Sequence, residues 1–340
     1  MVQKSEQAET SAPPDIESGP ATPPAAEPTA DAELTKADDG YVPFPDRFRA
    51  WWNGTPLDAA PHKTRGDAPP VKTDITPAPK APEEEEDWPA RIRDRVWGQN
   101  FALPGGSDVI LEMATLGEME DGLLTADILA GCTGPAIALN EKYTAPVTLL
   151  ETDQAFCSEL ETQPVSGLES ELLDIDKPNL GLERFDRVFC REAICHVSRR
   201  DLLVQKVGLA LRPGGQFIFN DILLTDIAES KKALETWRES EPVRPIPWSF
   251  DEYKDQLVSS RFELRGTSDI TDDYVAQVEA AWLQVMNGLA SDPLPPEGVD
   301  ALMEAGRIWQ GRIAALKSGK LKMMRFHTAL KTIRNLSGPS

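Results

Sequence analysis

From residue 125 onward, short apolar runs alternate with stretches whose apolar residues recur every three to four positions. "TADILA" (125–130), "VTLLE" (147–151), "SELLD" (170–174), "FDRVFC" (185–190) and "GQFIFND" (215–221) read as buried strands. "PAIALNEKY" (135–143) and "RRDLLVQKVGLAL" (199–211) read as helices between them. Strand, helix, strand at this cadence predicts an α/β fold with a doubly wound, mostly parallel sheet. Downstream, "FELRGTSDITDDYVAQVEAAWLQVMNGLA" gives a further strand and helix. "EGVDALMEAGRIWQGRIAALKSG" then gives a second amphipathic helix stopped at Gly319, and an antiparallel strand is expected after it.

Ahead of residue 88 the periodicity is lost. Of the 29 prolines in the 340 residues, 15 lie in the first 87, among Ala, Glu, Ser and Thr. Such a segment cannot bury enough apolar surface to offset its ordering entropy, so residues 1–87 are expected to form a disordered acidic tail. It has neither a basic start nor an apolar core, which argues against a signal peptide or anchor, and no apolar run of membrane-spanning length follows. One island interrupts the tail: "YVPFPDRFRAWWNGTPLD" (41–58) carries Tyr41, Phe44, Phe48, Trp51 and Trp52. Two readings stay open for it, packing back on the domain or docking a protein partner.

Charge narrows the partners. With Lys+Arg 35 against Asp+Glu 56, the net of -21 repels phosphate backbones and anionic membranes alike, so no nucleic acid and no membrane partner are expected. The four cysteines, Cys132, Cys157, Cys190 and Cys195, form no CxxC pair and have no histidine at zinc spacing. They read as small buried residues in a reducing cytoplasm, with no metal site expected.

In a doubly wound sheet, ligands bind beyond the carboxyl ends of the strands, near the point where strand order reverses. Candidate site residues stand there. Gly131 and Gly134 follow the first strand, where glycines let a backbone approach a ligand and open a helix whose amides face it. Glu151 ends the second strand, the place for a carboxylate that accepts from two ribose hydroxyls. Asp174 ends the third, with Ile175 beside it to pack on an adenine ring, and "CREAICH" follows the fourth. A nicotinamide site would show GxGxxG, whereas this chain offers Gly131-Cys-Thr-Gly134.

"DILAGCTGPA", Glu151 and "FDRVF…LRPGGQFIFND" together resemble class I S-adenosylmethionine-dependent methyltransferases. Three further segments are similar to the phosphoethanolamine N-methyltransferase group: "WGQNFALPGG" (97–106) as a lid, "CREAICHVS" (190–198) as its Ser-Arg-Asp-Ala-Ile-x-His motif, and "KLKMMRFHTALK" (320–331) as its closing strand. The resemblance implies a Rossmann-like seven-stranded sheet with an antiparallel last strand over residues 88–334. It also implies a lid at 88–107, a cofactor-binding core at 108–222 and an acceptor-covering insertion at about 223–260. S-adenosylmethionine would contact Gly105, Gly106, Asp127, Gly131, Gly134, Glu151, Asp174 and Arg191. A small-molecule acceptor, an amine of phosphoethanolamine type, would meet His196 as base and Glu192 as its acidic companion.

An imidazole suits proton removal from an alkylammonium at neutral pH, and His62 and His327 lie elsewhere. The bland alternative for His196 is a helix cap or a core position. Glu192 is expected on the same short helix and the same face, where it would orient the imidazole, attract a cationic headgroup or be merely solvated. Trp237, Arg244, Trp248 and Tyr253 are expected to line the acceptor pocket. Arg307, Arg312 and Lys320 would either meet an acceptor phosphate or be surface charges.

Two departures mark this chain. Leu129 and Thr133 stand where the resembled family has glycines, and "EEEEDWPARIRDRVW" lacks the tyrosine that the family pairs with its histidine. They motivate a rival reading, a non-catalytic methyltransferase-like scaffold or regulatory module with a docking tail.

Overall fold

The structure is a computed structural model and describes residues 42–55, 86–225 and 234–332. Residues 1–41 and 56–85, and with them most of the expected disordered tail, Tyr41 and the end of the aromatic island, lie outside the described residues. So does the 226–233 portion of the expected insertion.

The predicted strands form one seven-stranded sheet in the order β3-β2-β1-β4-β5-β7-β6. These are β1 (Thr125–Ile128), β2 (Val147–Glu151), β3 (Leu168–Leu172), β4 (Phe185–Arg191), β5 (Leu211–Leu224), β6 (Phe262–Asp269) and β7 (Leu321–Leu330). The first five pair in parallel, whereas β7 is antiparallel to both β5 and β6. Strand order reverses between β1 and β4, so the crevice lies at their carboxyl ends. The third strand starts and ends two residues earlier than its apolar run suggests, because its Leu168 pairs with Val147 of β2. Asp174 therefore sits in the turn after β3 rather than at its end.

Three clusters hold the layers together. On one face, α6 (Arg200–Ala210) and α8 (Phe250–Ser259) bury Leu203, Val204, Val207, Tyr253 and Leu257 against Phe217 and Phe219 of β5. The helix α8 starts at a reciprocal cap, in which the Ser249 hydroxyl accepts from the Glu252 N–H and the Glu252 carboxylate accepts from the Ser249 N–H. On the other face, α3 (Gly106–Leu116), α4 (Gly134–Tyr143) and α5 (Gln154–Thr162) bury Ile110, Met113, Leu139 and Leu160 against β2 and β5.

The third cluster is helical. It is built from α1 (Phe44–Trp52), α2 (Trp88–Trp97), α7 (Glu235–Ser240), α9 (Thr271–Gly288) and α10 (Pro296–Lys317), closed by Met323 of β7. The aromatic island supplies α1: prolines at its start cost no helical hydrogen bond, and Phe44, Phe48, Trp51 and Trp52 recur at helical spacing to form one stripe. Phe48 is 1% exposed, and Trp52 stacks on Trp282 of α9 with centroids 4.7 Å apart. The Gln310 side chain donates to the carbonyls of Trp51 and Trp52 and so satisfies the end of the helix. Among the described residues the island packs back on the domain, with Phe44, Phe48, Trp51 and Trp52 against the helical cluster.

Removing the anchor of this helix is expected to be costly. Phe48→Ala should lower unfolding free energy by about 3–5 kcal/mol, the usual range for deleting a buried aromatic side chain. Urea denaturation checks it, and an unchanged midpoint would mean that α1 is undocked in solution.

Candidate active site

At the reversal point lies a cleft of about 440 Å³ lined by Leu129, Ala130, Thr152, Ile175, Glu192 and His196, with further walls from residues 102–103, 241–243 and Arg312. Every strand-end segment singled out from the sequence contributes to this region, and two of them are strained. Leu129 has φ 56° and Glu192 has φ 57°, the left-handed region that costs a side-chain-bearing residue about 1–2 kcal/mol. Strain of this kind persists where surrounding structure imposes it, and here it falls on both rims of the cleft.

The left-handed Leu129 answers one departure. Its backbone takes the path a glycine would take, and its N–H still donates to the Leu150 carbonyl at 2.9 Å. The side chain packs against the core cluster beneath the sheet. Thr133, at the other altered position, has φ -94° and ψ -20°, which any residue adopts, and it forms the N-cap of α4. Gly134, by contrast, is sterically required: a Cβ there would stand 2.5 Å from the Asn100 carbonyl and 2.9 Å from the Phe101 ring. Its N–H donates to that same carbonyl at 2.8 Å, which fastens the 98–103 segment onto the loop.

The acidic residues take distinct roles. Asp127, fully buried, pairs with Arg191 at 3.1 Å across the reversal point, and burial pushes its carboxyl up despite the guanidinium. Asp127 Oδ1 and Arg191 Nε are buried with no hydrogen-bond partner among the described residues. Glu151 accepts from the Gly131 N–H at 2.9 Å, and burial raises its carboxyl to about 7. Asp174 is exposed, and its Oδ1 accepts from the N–H groups of Asp176 and Lys177, an Asx turn that presents Ile175 to the cleft. Gly105 and Gly106 lead into α3, while Ala102 and Leu103 of the same segment reach the cleft wall.

His196 ends a one-turn 3-10 helix, Ile194–His196, and is half-buried. Its Nδ1 lies 2.8 Å from the Val243 carbonyl oxygen. A carbonyl can only accept, so Nδ1 is the donor, and in the neutral ring Nε2 is the nitrogen that carries the lone pair.

Glu192 is not on that helix. Its positive φ turns the chain before the helix begins, so Glu192 and His196 do not share a helical face as their four-residue spacing suggests. The Glu192 carboxylate instead accepts from Tyr274 Oη at 2.7 Å and from Arg312 Nη1 at 3.0 Å. Arg312 also binds Glu241 bidentately, Nε to Oε1 at 2.8 Å and Nη2 to Oε2 at 2.7 Å, and Trp237 Nε1 donates to Glu241 at 2.7 Å. Burial works to raise both carboxyls. It prevails at Glu192, whereas at Glu241 the guanidinium outweighs it and holds the carboxyl below its ordinary value.

The expected acceptor wall is corrected accordingly. Trp237 and Tyr253 are core side chains at 1% and 0% exposure, and Trp248 lies under Arg200. Tyr253 donates to Asp221 behind the cleft. Arg244 pairs with Glu235 and Arg307 with Glu304 on the surface. Glu241, Pro242 and Val243 form the wall instead, with Arg312 buried below. Tyr274 and Glu241 escaped the sequence reading, but Arg312 left a trace: it interrupts the apolar stripe of α10 between Trp309, Ile313 and Leu316.

Comparison with known proteins agrees with this geometry. Residues 127–219 match the family described as a methyltransferase domain. The chain is 26% identical over 208 residues to phosphoethanolamine N-methyltransferase of Plasmodium falciparum, covering 57% of this chain and 74% of that one. It is 24% identical over 142 residues to phosphoethanolamine N-methyltransferase 3 of Arabidopsis thaliana, covering 41% of this chain and 28% of that protein. Among solved structures, Haemonchus contortus phosphoethanolamine N-methyltransferase 2, in complex with phosphomonomethylethanolamine and S-adenosylhomocysteine, superposes with a TM-score of 0.61 at 16% identity. That superposition covers 72% of this chain and 57% of the nematode chain. The chain thus spans less than two thirds of the plant and nematode proteins. With the strand order and the carboxylate-ended second strand, these matches identify a methyltransferase domain over residues 127–219, set in a class I methyltransferase fold; domains of this kind use S-adenosylmethionine.

Proposed function

We propose that the enzyme methylates a small polar acceptor, an amine, with His196 Nε2 as the base that frees its lone pair. The observation that carries this reading is the His196–Val243 hydrogen bond, which occupies Nδ1 and leaves Nε2 as the ring nitrogen available for proton transfer at a cleft also walled by Glu192 and Glu241. The residues fit the cofactor on two counts: a buried carboxylate, Glu151, stands where ribose hydroxyls would donate, and buried polar atoms of Asp127 and Arg191 await partners.

When bound, S-adenosylmethionine supplies an electrophilic methyl on a sulfonium, and the products are the methylated amine and the thioether. In this proposal Gly131 and Gly134 shape the loop that receives the cofactor, Glu151 and Asp174 hold its nucleoside end, and Asp127 and Arg191 brace the floor. Gly105 and Gly106 position the 88–107 segment as a lid over it. His196 takes the proton from the substrate ammonium, and the apolar neighbours Leu103, Ala193 and Val197 keep water from competing. In-line geometry is then set by the two ends of one cleft. No helix among the described residues is long and apolar enough to cross a membrane, and all four cysteines are buried and unpaired, which suits a reducing cytoplasm.

Two measurements test the proposal. Calorimetric titration with S-adenosylhomocysteine should give saturable heat, and its absence at millimolar ligand would sink the cofactor assignment. Labelled-methyl transfer to amines should fall about 10²- to 10⁴-fold in His196→Ala, the usual worth of a general base, while cofactor affinity stays unchanged. Turnover at the native rate would remove His196 from the mechanism.

Cofactor binding should also depend on pH through Glu151. Its folded-state value of about 7 lies above the ordinary 4.5, so this group favours the folded protein fully below pH 4.5 and loses that contribution as pH rises through 7. Ribose hydroxyls donate to the ionised carboxylate, so affinity should climb over the same window, by about tenfold between roughly one unit below and one unit above its midpoint. Glu151→Gln should weaken binding and flatten the profile. A profile in the variant as steep as in the native protein would show that another group titrates.

A further inference from the structure

The relatives named above act on a phosphorylated amine, and a phosphomonoester carries close to two negative charges near neutral pH. Recognition of such a group calls for a guanidinium or ammonium with uncommitted N–H groups facing the pocket. Among the described residues that line this cleft, two are permanently cationic, Arg191 and Arg312. Arg191, whose Nη2 is paired with Asp127 at 3.1 Å and whose Nε is buried without a partner among the described residues, stands at the cofactor end of the cleft. Arg312 lies beside the proposed base, at the acceptor end.

The Arg312 guanidinium is committed. Nε and Nη2 donate to the two oxygens of Glu241, and Nη1 donates to Glu192 Oε2 and, at 3.3 Å, to Tyr274 Oη. Four of its N–H groups are thereby used, out of the five a guanidinium has. One face of the group is covered as well, since the guanidinium carbon sits 4.5 Å from the centroid of the Trp309 ring. One positive charge faces two carboxylates, and the residue is 8% exposed. With both carboxyl groups ionised the excess is negative. A phosphoryl group entering this end would meet Glu192 and Glu241 and could displace neither from a bidentate or tyrosine-supported pair. An alkylammonium would meet those same carboxylates favourably, with Ala193, Val197, Pro242 and Val243 against its carbon atoms.

We propose that the acceptor is a small amine that carries no phosphoryl group, and that Arg312 sets this specificity by being held between Glu192 and Glu241 as a strut instead of being offered to an anion. The inference rests on the amine-methyltransferase reading. Arg312 acts as a positioning residue. Through Glu241 it fixes the start of the 241–243 segment, whose Val243 carbonyl holds His196, and through Glu192 it fixes the end of β4.

The test uses the full chain saturated with S-adenosylhomocysteine, titrated with phosphoethanolamine, with ethanolamine and with a series of longer primary and secondary alkylamines. At least one unphosphorylated amine should bind more tightly than phosphoethanolamine by about tenfold or more, corresponding to about 1.4 kcal/mol. The same order should hold in labelled-methyl competition. Tighter binding of phosphoethanolamine overturns the inference, as does failure of every amine to bind while S-adenosylhomocysteine binds. Failure of S-adenosylhomocysteine itself overturns the underlying reading, so the two failures are separable. Glu241→Gln removes one of the opposing charges and frees part of the guanidinium, so the preference against phosphoethanolamine should shrink by several fold. An unchanged preference in a folded Glu241→Gln protein removes Arg312 from specificity. Should that variant not fold, the preference of the native chain decides.

Discussion

A single buried guanidinium joins the two halves of this enzyme. Arg312 projects from α10, in the helical layer, and binds Glu192 at the end of β4 and Glu241 after α7. Buried ions are expensive to desolvate, and such a group is stable only where its partners neutralise it with good geometry. Here bidentate contact with Glu241, donation to Glu192 and stacking near Trp309 supply that geometry. The helical layer is thereby registered against the sheet at the point where the chemistry is proposed. Loss of Arg312 would leave two carboxyl groups without their cation in the interior, so this contact constrains every residue around it.

The strained residues follow from the same arrangement. The left-handed turn at Glu192 aims its carboxylate at Arg312 and Tyr274, away from the helix that carries His196. The left-handed turn at Leu129 keeps the loop after β1 on the path that brings the Gly131 N–H to Glu151. Both cost conformational energy, and both are imposed by contacts on either side of them: a ladder hydrogen bond from Leu129 to Leu150, and one from the Glu192 N–H to Asn220. The site is thus held by the sheet from below and by α10 from the side.

Much of the fold was legible in the sequence. Strand and helix periods are local, and right-handed crossovers leave few ways to arrange them, so the parallel sheet and the position of the crevice follow from pattern alone. The third strand was displaced by two residues because "SELLD" and "LESEL" are both strand-like, and pairing with β2 decides between them. The stretch after β5 was read as an acceptor wall from its aromatic content, but Trp237 and Tyr253 are drawn into cores, and the wall is left to Glu241 and Val243.

By itself the sequence determined the class of fold, the carboxylates and glycines at the strand ends, and the histidine after β4, because strand ends are fixed by a two-residue period and a short turn. Tertiary structure decided what those residues are able to do. The proton on His196 is placed by a carbonyl 47 residues away, and Glu192 is claimed by an arginine 120 residues away. The aromatic island, equally suited by composition to docking or packing, has Trp52 placed against Trp282 and Gln310 on helices more than 200 positions distant. Hydrogen bonds and ion pairs are short-ranged, so they depend on which groups the completed fold brings within about 3 Å, and a local pattern does not contain that distance.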